Sequence, residues 1–251
     1  MRKKLQGMVG KVYSSNNFGD FEIIEYNDWR NVKVRFKNSG YECKTTISNI
    51  RSGEVKDKNS PSVFGVGCIG TKYPIVDSNN RLLSEYRVWH RMLRRCYCPK
   101  SHIKHPTYKN CTVSENFKSY EYFYEWCQNQ IGFNNPNWEL DKDLLIKGNK
   151  LYAEDTCVFL PKEINLCLNN NTLRGYLPVG VSSTKHGKYF ARISSKGKET
   201  HLGIYKTPEE AFLKYKANKE SIFRELSDTW GNLLDPRAKI ALYNRKVEIT
   251  N

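Results

Sequence analysis

The sequence predicts an α+β fold made of three small parts. Short runs that alternate apolar and polar residues, separated by turn residues, fill the first seventy or so positions and predict a small β barrel. Two helical segments and then a strand, loop, strand and helix pattern occupy the middle of the chain. Three short strands and a helix follow. The predicted parts are residues 1–72, 73–172 and 173–251 of the 251-residue chain.

The first part alternates through three strand-like runs, FEIIEY, VKVRF and YECKTTI. Turn-forming residues separate them at positions 16–17, 27–28 and 38–40. Short strands at this spacing predict a barrel similar to the SH3 type. No residue pattern in this part has catalytic spacing. We therefore expect it to bind DNA, to bind a protein or to shield a sheet edge.

The central part begins with two predicted helices. Trp89, Met92 and Leu93 have helical spacing and predict the first. Aromatic residues predict the second, and their spacing fits a buried helix face better than a platform for stacking bases. These aromatic residues are Phe117, Tyr120, Phe123, Tyr124 and Trp126.

The segments that follow are short and turn-rich. WELDKDLL predicts a strand, and IKGNK predicts a turn in which Gly148 and Asn149 supply a permissive backbone. TCVFL predicts a returning strand, and Pro161 predicts the start of a helix. The order is therefore strand, loop, strand and helix.

The stretch from Leu140 to Asn165, LDKDLLIKGNKLYAEDTCVFLPKEIN, resembles the ββα-metal, or His-Me finger, module of the HNH nucleases. Its DKD, GNK and PKEIN segments are similar to the DHxDGN, N and PxxN elements of that family. The resemblance places Asp141 at the metal-binding acid, Lys142 at the general-base histidine and Asn165 at the last metal or phosphate ligand. It implies one magnesium or manganese ion at Asp141, Asp143 and Asn165.

The lysine at the histidine position leaves three alternatives open. Lysine is a poor base at neutral pH, whereas histidine titrates there unaided. In the first alternative a metal-bound water attacks directly, Lys142 clamps phosphate or acts as a perturbed base, and Asn149 positions the loop. In the second, a remote histidine serves as base or phosphate ligand, and His105 in the loop SHIKHPTYK is the candidate. In the third, the fold is kept only to grip DNA.

The order of motifs from Glu85 to Asn170, with EYRVWHRMLRRCY, PTYKNC and LDKD in sequence, resembles a recurrent group of phage-borne HNH-type or homing endonucleases. The resemblance implies a metal-dependent DNA endonuclease that nicks or cuts DNA in the cytoplasm of an infected bacterial host. Symmetric double-strand cutting would need a dimer, and no coiled-coil heptad is visible in the sequence, so we expect a monomer that nicks. A DNA-binding protein without catalysis, acting as a regulator or inhibitor of a host or competitor system, is the main alternative. In a third alternative the barrel binds a host protein while the basic parts tether it to DNA.

The last part, Leu177 to Glu220, predicts three strands and then a helix with Thr207 as its cap and Pro208 at its first position. Its GV, GKYFARI and LGIYKTPEEA segments resemble the APETALA-type, or ethylene-response-factor, DNA-binding domain. Such a domain lays its sheet in the major groove, where each base pair has a distinct edge. The implied DNA contacts are Ser182, Lys185, His186, Lys188, Arg192, Lys196, Lys198 and His201.

Composition agrees with a polyanionic partner. Lys and Arg number 41 against 26 Asp and Glu, so the formal charge is +15, which favours salt-sensitive binding to double-stranded DNA. No run of about twenty apolar residues predicts a membrane span, and the basic start lacks the apolar stretch of a secretory signal. Cys96 and Cys98 form C-x-C rather than C-x-x-C, so thiols are expected rather than structural zinc. Cys157 is expected in the core.

Overall fold

The computed structural model describes residues 7–168, 176–195 and 197–249. The fold is α+β, with several small sheets. The chain divides into two compact units, residues 1–125 and 126–251. The division into three parts stays a prediction, and its second boundary, at residues 172–173, lies outside the described residues.

An antiparallel sheet forms the start of the first unit. Its strands are β1 (Val12–Ser15), β2 (Gly19–Asp28), β3 (Asn31–Phe36) and β4 (Glu42–Thr45), in that order across the sheet. Alternate residues, among them Phe21, Ile23 and Val34, are fully buried, as a sheet with one covered face requires. Among the described residues these strands form an open sheet, which corrects the predicted closed barrel. The SH3-like topology stays a prediction.

Helices follow the sheet: α1 (Ile47–Ser52), α2 (Ser84–Tyr97), α3 (Pro99–Lys104) and α4 (Tyr120–Gln128), with the two-residue strand β5 (Thr112–Val113) before α4. Trp89, Met92 and Leu93 are buried on α2, as predicted. The predicted aromatic helix begins later than expected, because Phe117 lies in a short 3-10 turn before α4. The Trp89 indole N–H donates to the Phe117 carbonyl at 2.8 Å and fixes this turn against α2.

The second unit contains the strand, loop, strand and helix pattern. Strand β6 (Trp138–Asp141) pairs antiparallel with β8 (Val158–Pro161), the short β7 (Leu151–Tyr152) lies between them in sequence, and α5 (Lys162–Leu168) follows. Helix α5 contacts both β6 and β8. Strand β6 ends at Asp141, so Lys142 and Asp143 belong to the loop and not to the strand that the sequence predicted.

Three strands and a helix complete the second unit, as predicted: β9 (Val181–Ser183), β10 (Tyr189–Ser195), β11 (Lys198–Tyr205) and α6 (Pro208–Trp230), with β10 in the centre of the sheet. A final helix is α7 (Pro236–Tyr243). Thr207 caps α6 in a capping box, in which its hydroxyl accepts the Glu210 N–H and the Glu210 carboxylate accepts the Thr207 N–H. Within the described part of the chain, no helix combines the length and apolarity needed to cross a membrane.

One hydrophobic core joins the two halves of this unit. Leu144, Val158 and Ile164 from the hairpin and α5 pack in the same cluster as Ile193 of the sheet and Phe212 of α6. Side chains in a shared core pack closely against one another. Leu144 therefore anchors the loop after β6 to the three-stranded sheet.

Substitution of Gly180, which directly precedes β9, tests this packing. Its φ is +74°, and a Cβ added there would fall on the ring of Tyr215 in α6. Gly187 has nearly the same φ, +73°, but open space around the Cβ position. We expect Gly187→Ala to lose about 1 kcal/mol for its left-handed backbone, and Gly180→Ala about 1–2 kcal/mol more through overpacking. Urea unfolding of both variants measures the difference, and equal losses would contradict the packing described.

Candidate functional site

Asp141 lies at the end of β6, opposite Val158 of β8. Leu140 before it is buried, whereas Glu139 is exposed and Asp141 is half-buried. Side chains alternate along a strand, so Glu139 and Asp141 share the face opposite Leu140. This face of β6 is therefore acidic.

The Asp141 carboxylate organises the loop that follows it. Its Oδ1 accepts the backbone N–H of Asp143 at 2.9 Å and that of Leu144 at 2.7 Å. Burial raises the pKa of Asp141 above its ordinary value of 3.8, although the Leu144 N–H acts in the opposite direction; the Asp143 carboxylate adds to the rise. A cation bound at this carboxylate would relieve the burial penalty on its charge.

Lys142 is buried, with its side chain only 5 % exposed. Its ammonium donates to Asp143 Oδ1 at 2.7 Å and to the Asn149 carbonyl at 2.5 Å, and it lies 5.7 Å from the centre of the Tyr152 ring. All these contacts suit a positively charged donor. We call Lys142, Asp143 and Asn149 the lysine clip, because the ammonium joins the two ends of the loop.

Asn149 closes the loop from the other end. Its side-chain amide donates to the carbonyls of Lys142, at 2.9 Å, and Leu151, at 2.6 Å, and its Oδ1 accepts the Leu151 N–H at 3.0 Å. Three hydrogen bonds from one amide occupy most of its capacity. This geometry holds the backbone of the loop; the catalytic positioning role suggested for Asn149 stays a prediction.

Asn165 on α5 reaches a residue that the sequence did not single out. Its side-chain amide donates to Glu139 Oε2 at 2.6 Å. The three side chains expected at the metal therefore have different partners: Asp141 has loop N–H groups, Asp143 has Lys142, and Asn165 has Glu139. Glu139 could have been identified from its position two residues before Asp141, because residues two apart in a strand lie on the same face.

Oxygen donors on this face suit a hard divalent cation such as Mg²⁺ or Mn²⁺. Asp141 and Glu139 supply carboxylates and Asn165 an amide, while the Asp143 carboxylate is engaged by the Lys142 ammonium. Among the described residues, no group of three or more His, Cys, Asp or Glu side chains is arranged to hold a metal ion.

His105, the candidate remote base, follows α3 in the first unit and is exposed. Asp141 belongs to the second unit. The catalytic role suggested for His105 stays a hypothesis.

The predicted DNA contacts distribute over the three-stranded sheet. Ser182 lies in β9, Arg192 in β10, and Lys198 and His201 in β11. The turn between β9 and β10 contributes the exposed residues Lys185, His186 and Lys188. Lys196 lies outside the described residues.

The strand register defines which side chains share the outward face, the face of the sheet away from α6. Ala191 and Ile193 are buried toward α6, so Phe190, Arg192 and Ser194 point outward. Their cross-strand partners complete the outward face, which consists of Ser182, Phe190, Arg192, Ser194, Glu199, His201 and Ile204. The sequence reasoning missed Phe190, Glu199 and Ile204. Alternation from Arg192 would have found Phe190, and alternation from His201 would have found Glu199. Alternation does not find Ile204, because the register of β10 against β11 shifts between Ala191 and Arg192.

Comparisons of the chain with protein-family models, with curated proteins and with solved structures gave no match. The functional assignment therefore depends on the chain's own residues and their geometry.

The eight cysteines are thiols, without disulfides, and Cys157, which directly precedes β8, is fully buried in the core as predicted. Burial raises the pKa of the Cys157 thiol to about 12, so the reactive thiolate is scarce at pH 8. We expect iodoacetamide at pH 8 to leave Cys157 unmodified in the folded protein and to alkylate it in urea. Mass spectrometry checks this, with the half-buried Cys98 as the internal comparison; equal rates would show that β8 opens readily.

Proposed function

We propose that this chain is a metal-dependent DNA endonuclease of the HNH type, which reads double-stranded DNA with its three-stranded sheet. One observation supports the nuclease part most directly. Asn165 of α5 donates to Glu139 of β6, and Glu139 shares its face of the strand with Asp141. A strand-end acid and a helix amide on the same face are the arrangement that the resemblance to HNH nucleases implies.

The proposed roles follow from the contacts. Asp141 and Asn165 hold the divalent ion, with Glu139 as third oxygen donor in place of Asp143. Such an ion supplies positive charge that stabilises the departing phosphate oxygen. Asp143 is assigned to the lysine clip, since its carboxylate contacts the Lys142 ammonium at 2.7 Å. Lys142 holds the loop from inside and is not the general base in this proposal.

The DNA-binding part is supported by charge and shape. The chain carries a formal charge of +15, and the exposed turn between β9 and β10 contains Lys185, His186 and Lys188 beside the outward face. A major groove is wide enough for β-strands. Lysines at the edge of the sheet would contact phosphates and make the binding salt-sensitive.

A second candidate function is DNA binding without cleavage, in which the protein regulates or inhibits another system. The specific observation in its favour is Lys142. This residue stands where the HNH resemblance expects the general-base histidine, and its amine is buried and held by two oxygen acceptors. A hairpin closed by an internal cation can keep its shape without performing hydrolysis.

The experiment that separates the two candidates incubates the purified protein with supercoiled plasmid in magnesium, manganese or chelator. We expect conversion to the nicked form with either metal and none with chelator. Gel retardation of the same plasmid, measured from low to high salt, reports binding independently of cutting. Retardation without nicking under both metals would reject the enzyme and favour the second candidate.

A further inference from the structure

The outward face of the sheet is arranged in rows across the strands. Phe190 in β10 is directly opposite Ser182 in β9 and Ile204 in β11. The next row pairs Arg192 with His201. Ile204 is 59 % exposed and neither Phe190 nor Ile204 belongs to the hydrophobic core of this unit. Phe190 and Ile204 thus form an apolar strip on an outward face whose other residues are polar.

The aromatic rings stiffen this strip. The rings of Phe190 and His201 lie 5.7 Å apart between centroids and are nearly parallel, at 21°. The Arg192 guanidinium lies 6.0 Å from the centre of the Phe190 ring. Stacking of this kind limits the conformations of the half-buried Phe190.

Arg192 is already engaged on the same face. Its Nη1 contacts both carboxylate oxygens of Glu199, at 3.4 and 3.3 Å. An arginine reads guanine through two donors directed at the base edge, and here Glu199 competes for those donors. The acidic side chain also weakens the attraction of this row for DNA. The apolar row is therefore the better candidate for reading bases.

We propose that Phe190 and Ile204 read the 5-methyl groups of thymine in the major groove, so that the sheet prefers thymine-containing sites. Among the four bases only thymine presents a methyl group on the major-groove edge, and apolar side chains are its natural contacts. This inference rests on the proposed DNA binding but not on the proposed cleavage.

Charge complementarity favours DNA as the occupant of this face. The turn with Lys185 and Lys188 joins β9 to β10 at the end where the apolar row lies, because Tyr189 and Phe190 are the first residues of β10. Lys198 begins β11 at the opposite end. Positive side chains at both ends of the strands, with the apolar strip between them, match a groove whose two edges are phosphate backbones and whose floor carries methyl groups.

The test compares two alternating duplexes of the same length, one of dA and dT and one of dA and dU, which differ in the 5-methyl group. Binding of the full chain is measured by fluorescence anisotropy in chelator. We expect the dT duplex to bind tighter by about fourfold for each methyl group that is buried. Ile204→Ser and Phe190→Ser should bring the ratio of affinities close to one. Leu213→Ser is the matched control, because Leu213 is 62 % exposed on α6.

Three outcomes would overturn the inference. Equal affinity for both duplexes, with salt-sensitive binding retained, would reject thymine reading and leave the proposed DNA binding intact. A dT preference that survives Ile204→Ser and Phe190→Ser, or is lost equally in Leu213→Ser, would reject the assignment to this row. Failure to bind either duplex would reject both the inference and the proposed DNA binding by the sheet.

Discussion

Asp141→Asn is expected to reduce metal-dependent nicking by at least about 100-fold, since loss even of groups outside the metal shell typically reduces metal affinity or activity 10–100-fold. The variant removes the negative charge that would hold a divalent ion but keeps an oxygen at Oδ1. That oxygen can still accept the N–H groups of Asp143 and Leu144, which lie 2.9 and 2.7 Å from it. The loop should therefore keep its shape, and binding to plasmid in chelator should be unchanged.

The same variant is expected to be more stable than the wild type at neutral pH. Burial raises the pKa of Asp141 in the folded state, so the folded state holds the proton more tightly than the unfolded state. Wild-type stability then falls as pH increases from the ordinary value of 3.8 through the raised pKa, and stays lower above it. The asparagine side chain does not titrate in this pH range, so the variant lacks this loss of stability. Thermal unfolding from pH 3 to pH 8 should show this fall in stability in the wild type. The part of the fall that Asp141 causes should be absent in Asp141→Asn.

Asp155→Asn is the control for both measurements, because Asp155 is an exposed acid before β8 in the same unit. It should nick DNA at the wild-type rate. Divalent metal should raise the melting temperature of the wild type and of Asp155→Asn but not of Asp141→Asn. Unchanged nicking in Asp141→Asn would refute the assignment of this carboxylate to the metal.

Asp143→Asn is expected to destabilise the protein by about 2–3 kcal/mol. Its carboxylate is the charged partner of Lys142, whose side chain is only 5 % exposed, so the change leaves a buried ammonium without a counter-charge. Breaking a fully buried ion pair costs about 3–5 kcal/mol, and the expected loss is smaller here because Asp143 is 48 % exposed and solvent screens the pair. Urea unfolding measures the loss.

The double variant Lys142→Met, Asp143→Asn tests the cause. Removing the ammonium as well as its partner takes away the uncompensated charge, so the double variant should be more stable than Asp143→Asn alone. Lys147→Met is the matched control on the same loop. Its ammonium pairs with Glu248 at 2.7 Å, but both side chains are solvent-exposed, so we expect no measurable change in unfolding. A double variant less stable than Asp143→Asn would contradict the role given to the lysine clip.

Local pattern predicted much of the fold. Thr207 and Pro208 gave the start of α6 because capping and the first helical turn depend on neighbouring residues alone. The burial of Trp89, Met92 and Leu93 followed from helical spacing. The end of β6 was predicted too late, since the Asp141 carboxylate turns the backbone through hydrogen bonds to two following N–H groups, which a pattern of residue types does not reveal.

The candidate site was likewise predicted only in part from the sequence. Sequence placed Asp141, Asn149 and Asn165 in one strand, loop and helix pattern, because their spacing along the chain is short. It could not pair Asn165 with Glu139, or Lys142 with the Asn149 carbonyl, since these contacts depend on how α5 and the loop close over β6.

The sequence by itself determined the α+β character, the start of α6, the alternating strands and the strongly basic charge, because propensity, periodicity and composition are local or additive properties. Only the tertiary structure decided that Lys142 is buried against Asp143 and Asn149, and that Phe190 and Ile204 lie side by side on an exposed face. Burial and cross-strand register are set by packing between segments far apart in the chain, and local sequence patterns do not predict which distant segments come into contact.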